Sequence, residues 1–442
     1  MRAGGEVARA VATLLARALP GGGRVGVAVS GGRDSIALLD AAACTVGDAR
    51  AVLVAFHVHH GLSPNAEQWS QFCAQACAAR GIAFARRNVE VERRPRASLE
   101  ATAREARYAA LAALAAEHRV DAVMLAHHAD DQAETVLLQL LRGAGPRGLA
   151  AMPAMASDRG VVWLRPFLDI GRATVEAYVA MRGLAYVDDE SNADSRHRRN
   201  ALREAIVPRL RAIAPGYPET LVRAARLQAD SVALCDALAV LDADAAYDGA
   251  SLARAALRDL DAPRARNLLR WFLREQRLPA PSAARLAAML SQLTRAGDDA
   301  QVALVHGGAA IGVHRGRIVV HRTAAPAFAQ QWSGAQEVAL PHGTLAFAPV
   351  VGNGIARRHL VGTRVTIRAG QPGERLRIAG RGRRAVAALL REAGIPAWDR
   401  MALPRICCDE RLVAVACAGV DAAFDAAPGE PAFALDWRPK GR

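Results

Sequence analysis

Four stretches carry residues whose types and spacing could do chemistry. The first is VAVSGGRDSIALLD, where Ser30, Gly31, Gly32, Arg33, Asp34 and Ser35 separate the valines at 25, 27 and 29 from Ile36, Leu38 and Leu39. Alternation before the glycines and helical spacing after them give a strand, a turn and a helix. Two adjacent glycines let successive backbone N–H groups converge on one spot at the positive end of the new helix, where the expected occupant is a phosphate. An ordinary strand-to-helix turn would use the glycines for geometry alone. The serines add hydroxyl donors, and Asp34 beside a polyphosphate makes sense where a cation such as Mg²⁺ bridges the two. A GxxxxGK[ST] loop is excluded, because the only lysine of the chain is Lys440, and GxGxxG is absent from this turn.

The second stretch, LAHHADDQAETVLLQLLRGAG, places Asp131 and Glu134 three apart, hence on one face of a helix, with His127 and Asp130 near its entrance. Two acids there could be caps stabilised by the helix dipole. The better reading is a metal and phosphate site, because this strand end should lie beside the glycine turn and share its magnesium. The histidines of HVHH and AHH suggest zinc at first sight, but no third cluster supplies matching ligands. In the third stretch, DDESNADSRHRRNALREAIVPRL, the charges of Arg196, Arg198, Arg199 and Arg203 are offset locally by Asp188, Asp189 and Glu190. Proximity to the phosphate would turn Arg203 into a nucleotide or transition-state contact. The fourth, GERLRIAGRGRRAVAALLREAGIPAWDR, sets Arg375, Arg377, Arg381, Arg383, Arg384 and Arg391 on a strand, turn and basic helix. It reads as a nucleic-acid backbone contact or as a solvated surface.

The elements that must position these groups follow the same patterns. Apolar strands at 51–61, 81–89, 120–131 and 160–169 alternate with helices at 66–80 and 98–118, which predicts a doubly wound parallel sheet. Ligands of such sheets bind outside the carboxyl ends of the strands, so the strand ends at Ser30–Ser35, His57–His60 and His127–Glu134 matter most. Residues 218–295 turn to Ala, Leu and Arg on helical spacing, 301–322 alternate like antiparallel strands, and 323–335 reads as a linker. The expected organisation is an α/β domain over 1–215, a mainly helical domain over 216–325 and a small α+β domain over 336–442. The N-terminal MRAGGEVARAVATLLARALPGGG leads straight into the first strand and reads as a structural helix.

A formal charge of +14, carried almost wholly by arginine, favours a polyanionic partner, although codon bias alone could inflate arginine. No apolar run approaches the roughly 18 residues that would span a bilayer. The seven cysteines, at 44, 73, 77, 235, 407, 408 and 417, form no CxxC pair and fit a reducing cytoplasm.

Together these stretches resemble the N-type ATP pyrophosphatase (PP-loop) superfamily, whose SGGxDS loop is matched by Ser30–Ser35. More closely, and over nearly the full length, the chain is similar to the tRNA(Ile)-lysidine synthase family, through HVHHGLSPNA, EATAREARYAAL, the HHADDQAET segment, RPFL, the RxRRNxxR pattern and the C-terminal GERLRIAGRGRR segment. The resemblance implies ATP and Mg²⁺ as cosubstrate and cofactor, and free L-lysine and a tRNA(Ile) with a CAU anticodon as substrates. It implies adenylation of the wobble cytidine, attack by the lysine ε-amine, and a cytoplasmic homodimer. It also implies ATP binding by Ser30, Gly31, Gly32, Arg33, Asp34 and Ser35, with Asp34 as a magnesium ligand. Asp34, Asp131, Glu134 and Arg203 are the implied catalytic residues, and Arg375, Arg381, Arg383 and Arg384 the tRNA contacts. The C-terminal segment is arginine-rich where the family is often lysine-rich. Two alternatives stand beside this reading: a PP-loop tRNA thiolase delivering sulfur, and an RNA-binding protein with an idle nucleotide site.

Overall fold

Val25 and Val27 lie in β1 (Gly23–Ala28), the central strand of the first of two compact units, Met1–Leu234 and Cys235–Arg442. The computed structural model describes residues 2–47, 50–59, 65–90, 99–188, 198–295, 304–322 and 327–440. In the first unit α1 (Arg2–Ala18) precedes β1, and α2 (Arg33–Thr45), β2 (Ala51–His59), α3 (Ala66–Ala78), β3 (Ala83–Asn88), α4 (Leu99–Glu117) and β4 (Ala122–Met124) follow it. Then come α5 (Ala129–Leu141), α6 (Pro146–Leu149), β5 (Met155–Asp158), β6 (Val161–Leu164) and α7 (Arg172–Arg182). The sheet runs β3-β2-β1-β4-β6-β5. Its first five strands are parallel, with Val25 beside Leu53 on one flank and Val27 beside Met124 on the other.

The expected fifth strand, 160–169, is shorter than its apolar run. It stops at Leu164, and the antiparallel edge strand β5, which the sequence pattern did not announce, pairs with it through a turn at Arg159 and Gly160. Polar Ser157 and Asp158 hide β5 from a search for buried parallel strands. Helices cover both faces. On one, Val7 and Val11 of α1, Ile36 and Leu39 of α2, Cys73 and Cys77 of α3, and Val175 and Tyr178 of α7 pack on Val25 and Val27. On the other, Leu111 and Leu114 of α4 meet Val54, Phe56, Val123 and Trp163. The chain leaves β1 toward β2 and later returns to β4 on the opposite side. The ends of β1 and β4 therefore flank a topological switch point.

The unit closes with α8 (Arg198–Ala201), a π-helical turn at Leu202–Ile206 and α9 (Val207–Ile213), and α10 (Tyr217–Ala243) follows. In the second unit, helices Arg254–Asp259, Ala262–Glu275 and Ala283–Arg295 share a core with a four-stranded sheet. Strands 304–306, 309–314 and 317–322 are turned at Gly307–Gly308 and Arg315–Gly316 as expected, whereas the short strand Ser251–Ala253 lies inside the stretch read as helical. Of the expected linker, 323–326 lie outside the described residues, and Ala329–Gln331 form a strand beside Val365–Arg368, with Phe328 and Trp332 packed on the core. The C-terminal part is two small sheets, a hairpin and the helix Val386–Glu392. Among the described residues no helix is long and apolar enough to cross a membrane.

Candidate active site

The glycine turn is shaped by its own hydroxyls. Ser35 Oγ donates to the Gly32 carbonyl at 2.8 Å and accepts from the Ser30 N–H and hydroxyl at 3.2 Å each. Gly31 has φ +91°, and a Cβ there would sit 3.3 Å from Cys73 Sγ, so both the conformation and the space call for glycine. Gly32 is the N-cap of α2 and makes no side-chain cap, which leaves the first N–H groups of that helix open to an anion. The turn is anchored from β2, where the His57 imidazole, kept neutral by burial, donates from Nδ1 to the Val29 carbonyl at 2.8 Å. His57 is thus a strut of the turn. His59 reaches only Glu67, at 3.8 Å, and His60 lies outside the described residues.

Across the switch point His128 caps α5. Its Nδ1 accepts from the Asp131 N–H at 3.4 Å while Asp131 Oδ2 accepts from the His128 N–H at 3.2 Å, a reciprocal capping box with an imidazole in the usual serine's place. The other ring nitrogen faces two carboxylates, Asp34 Oδ2 at 3.6 Å and Asp131 Oδ2 at 3.5 Å. Burial disfavours the imidazolium, yet Asp34, Asp131 and Asp130 together raise the His128 pKa. The cap calls for a bare Nδ1 and the carboxylates for a proton on Nε2, and one neutral tautomer satisfies both. Burial likewise opposes ionisation of Asp34, but His128 and Arg33 outweigh it and bring its pKa down to about 2. The sequence singled out His127 beside the acids. Burial pushes that imidazole down and leaves its Nδ1 without a hydrogen-bond partner, whereas His128 is the histidine that joins the two loops. Its position one residue before a helix that opens on acids was the available signal.

Arg203, on the π-turn, brings the acidic pair together. Its Nε donates to Glu134 Oε1 at 2.5 Å and its Nη2 to Asp131 Oδ1 at 3.0 Å. Insertion of one residue into the helical repeat is a recurrent way of turning a side chain inward. Arg199 adds an ion pair to Glu134 Oε2 at 3.4 Å and a hydrogen bond to Thr135. The two acids respond oppositely. Burial raises the Glu134 pKa despite Arg203, while for Asp131 the same burial is overcome by His128, His127 and Arg199, and its pKa falls. Glu134 Oε2 is buried without a hydrogen-bond partner.

Asp130 accepts from the first N–H of α7, that of Arg172, at 2.8 Å and faces Arg211 at 3.6 Å. With Glu134, Arg203, Pro208 and Tyr217 these residues line a cleft of about 330 Å³. The Arg33 guanidinium is turned to Asp34 at 3.1 Å and to Glu176 of α7 at 2.6 Å, so this residue offers the turn its backbone N–H. The acids expected to neutralise the third stretch fall partly outside the described residues, at Asp189 and Glu190, as does Arg196, while Asp188 is exposed. Cys73 and Cys77 are buried, which pushes their thiols up to about 12 and about 11, values of inert core groups.

The C-terminal arginines depart from the expected strand, turn and basic helix. Arg375 and Arg377 lie on one strand of the hairpin, Arg383 and Arg384 on the other, and the helix begins only at Val386 and carries Arg391. Arg381, at the turn, and Arg384 both bind Glu392, at 2.7 and 2.5 Å. Arg383 is exposed, and Arg375 donates to its carbonyl at 3.2 Å.

Comparison with known proteins matches three family models along the chain: a PP-loop domain over residues 5–210, a TilS substrate binding domain over 252–319 and a TilS substrate C-terminal domain over 365–437. Among curated relatives, the tRNA(Ile)-lysidine synthase of Nitrosomonas europaea is 36% identical over 427 residues, covering 95% of this chain and 92% of that protein. The Ralstonia nicotianae protein of the same name is 41% identical over 438 residues, covering 94% and 93%. That of Azoarcus is 39% identical over 430 residues, covering 96% and 94%.

Proposed function

The chain belongs to the tRNA(Ile)-lysidine synthase family, and from that membership we propose how its residues divide the reaction. It is an ATP-dependent ligase that forms a carbon–nitrogen bond on the wobble cytidine of a CAU-bearing isoleucine tRNA. In the first step the cytosine carbonyl oxygen attacks the α-phosphorus of ATP and pyrophosphate leaves. In the second the ε-amine of free lysine displaces AMP and leaves lysidine. The observation that carries the assignment is Arg203 bridging Asp131 and Glu134 at the same switch point as the glycine turn.

Ser30–Ser35 receive the phosphates, with N–H groups of the loop and of the first turn of α2 holding the departing pyrophosphate. Asp34 is ionised at any working pH and lies within reach of Asp131 through His128. Magnesium takes one or two carboxylates and completes its shell with phosphate oxygens and water, which suits these two acids. Among the described residues no cluster of three or more His, Cys, Asp and Glu is placed to hold a metal ion. Bound Mg²⁺ would offset the charge that develops on the phosphates. Glu134, made more basic by burial, takes the proton of the lysine ε-ammonium on Oε2, which accepts no hydrogen bond in the protein. Arg203 holds both carboxylates in place and lends positive charge to the α-phosphoryl group. Arg375, Arg381, Arg383 and Arg384 contact the tRNA backbone, the second and fourth after exchanging Glu392 for phosphate. The free thiols suit work in the cytoplasm.

The test is incorporation of labelled lysine into purified CAU-bearing isoleucine tRNA with ATP and Mg²⁺, against reactions lacking ATP or given the initiator tRNA. ATP-dependent labelling of the isoleucine tRNA alone is expected. Pyrophosphate release without lysine incorporation would redirect the second step to another nucleophile. Asp131→Ala or Glu134→Ala should abolish turnover and leave tRNA affinity within about twofold; normal turnover in both removes the acids from the mechanism.

A further inference from the structure

Helix α7 is fixed at both ends. Near its C-terminus Tyr178 and Arg182 donate to the buried Asp40 of α2 at 2.8 and 2.9 Å, and at its N-terminus Asp130 takes the Arg172 N–H at 2.8 Å. Its apolar residues Val175 and Val179 lie in the core of the first unit. Glu176, between these anchors, is not needed for that hold, yet its Oε1 accepts from two arginines, Arg172 Nε at 3.1 Å and Arg33 Nη1 at 2.6 Å. The pair with Arg172 gives the helix little, because arginine one turn ahead of glutamate is the less favourable order. The pair with Arg33 is the one that touches the reaction. Arg33 is the first residue of α2, inside the phosphate turn, and its Nε also holds Asp34 Oδ1 at 3.1 Å. We propose that Glu176 is a positioning residue, which draws the Arg33 guanidinium away from the phosphates and so lets pyrophosphate leave. The proposal rests on the ligase reading above.

Charge and reach give such a restraint its use. A guanidinium is a planar fork that grips two phosphate oxygens at once, and this one sits on the loop that receives them. Pyrophosphate is the product of the first step, and release of a product sets the rate of many enzymes. With Nη1 on Glu176 and Nε on Asp34 the fork is turned toward α7, while the N–H groups that open α2 stay available to the anion. The restraint is also light. The Arg33 side chain is 17% exposed and that of Glu176 47%, and pairs of this kind contribute little stability, so the glutamate sets a direction rather than holding the fold together.

Isothermal titration of inorganic pyrophosphate with Mg²⁺ into the full chain, without tRNA or lysine, tests this. Glu176→Gln should tighten pyrophosphate about threefold, the scale of one partly exposed ion pair, and lower its inhibition constant in lysine incorporation by the same factor. The thermal midpoint should stay within about 2 °C of the wild type. Glu176→Asp, which keeps the carboxylate, should return the affinity toward that of the wild type. In an Arg33→Ala background Glu176→Gln should change nothing, because its effect runs through that guanidinium. An affinity unaltered by Glu176→Gln overturns the proposal and leaves the ligase reading standing. So does a gain that persists in the Arg33→Ala background, which would assign it to the lost negative charge alone. A wild-type chain that binds no pyrophosphate overturns the ligase reading of the turn and this proposal with it.

Discussion

Arg203 is the residue on which the acidic pair depends. Asp131 and Glu134 have side chains 13% and 5% exposed, so its removal leaves two buried carboxylates, Glu134 with Arg199 and Asp131 with His128. Arg203→Ala should lower unfolding free energy by about 3 kcal/mol in denaturant titrations. Adding Glu134→Gln should restore much of that stability and none of the activity, which separates the structural share of the guanidinium from its catalytic one. Asp34 makes a second prediction, read by acid titration. Its folded pKa lies below the ordinary 3.8, at about 2, so it favours the folded state above pH 4 and that contribution is lost as pH falls through about 2. The shift corresponds to at most about 2 kcal/mol, less the share screened at a carboxyl 31% open to solvent. Asp34→Asn should flatten the acid limb of the stability profile between pH 4 and 2 by that amount. An unchanged limb would assign acid lability to other carboxylates.

At the scale of elements, His128 is both the cap of α5 and the tie between the two loops. Asparagine caps a helix well but does not reach Asp34 as the imidazole does. His128→Ala should therefore cost about 1 kcal/mol in stability, and His128→Asn less, while both lower turnover. Equal turnover in the His128→Asn variant and the unaltered enzyme would reduce His128 to a cap. These elements were legible in the sequence to different depths. SGGRDS announced its strand, turn and helix because each part has its own local period, and Asp131 and Glu134 announced one helix face by spacing alone. The tie through His128 was not legible: this strand end was expected beside the glycine turn, but which of two adjacent histidines faces Asp34 is set by the cap geometry of α5. Nor was the π-turn, because no composition marks where a helix gains a residue. The basic segment misled for a simpler reason. Arg383 and Arg384 suit helices and strands alike on a surface, and their place on the hairpin is fixed by Leu376 and Val386 reaching a shared core.

The whole molecule carries +14, and its C-terminal hairpin keeps part of that charge in check. Glu392 holds Arg381 and Arg384 at once, in exposed pairs that offer little stability by themselves. Glu392→Ala should therefore leave the fold unchanged, tighten tRNA binding, and steepen the dependence of log affinity on log salt by about one to two units. Weaker binding in that variant would show that the carboxylate orients the arginines for the phosphates. The bridge at Arg203 has a further consequence, for the time before the molecule is whole. On the ribosome Asp131 and Glu134 are made 72 and 69 residues ahead of their arginine, a delay of roughly 3–14 s at ordinary rates of synthesis. Throughout that interval the nascent chain has its phosphate turn and the His128 contact to Asp131, but Glu134 lacks the guanidinium of Arg203. Final closure of the nucleotide unit thus waits for residues at its very end. A chain cut short before residue 203 should therefore be cleaved by protease faster than the full chain.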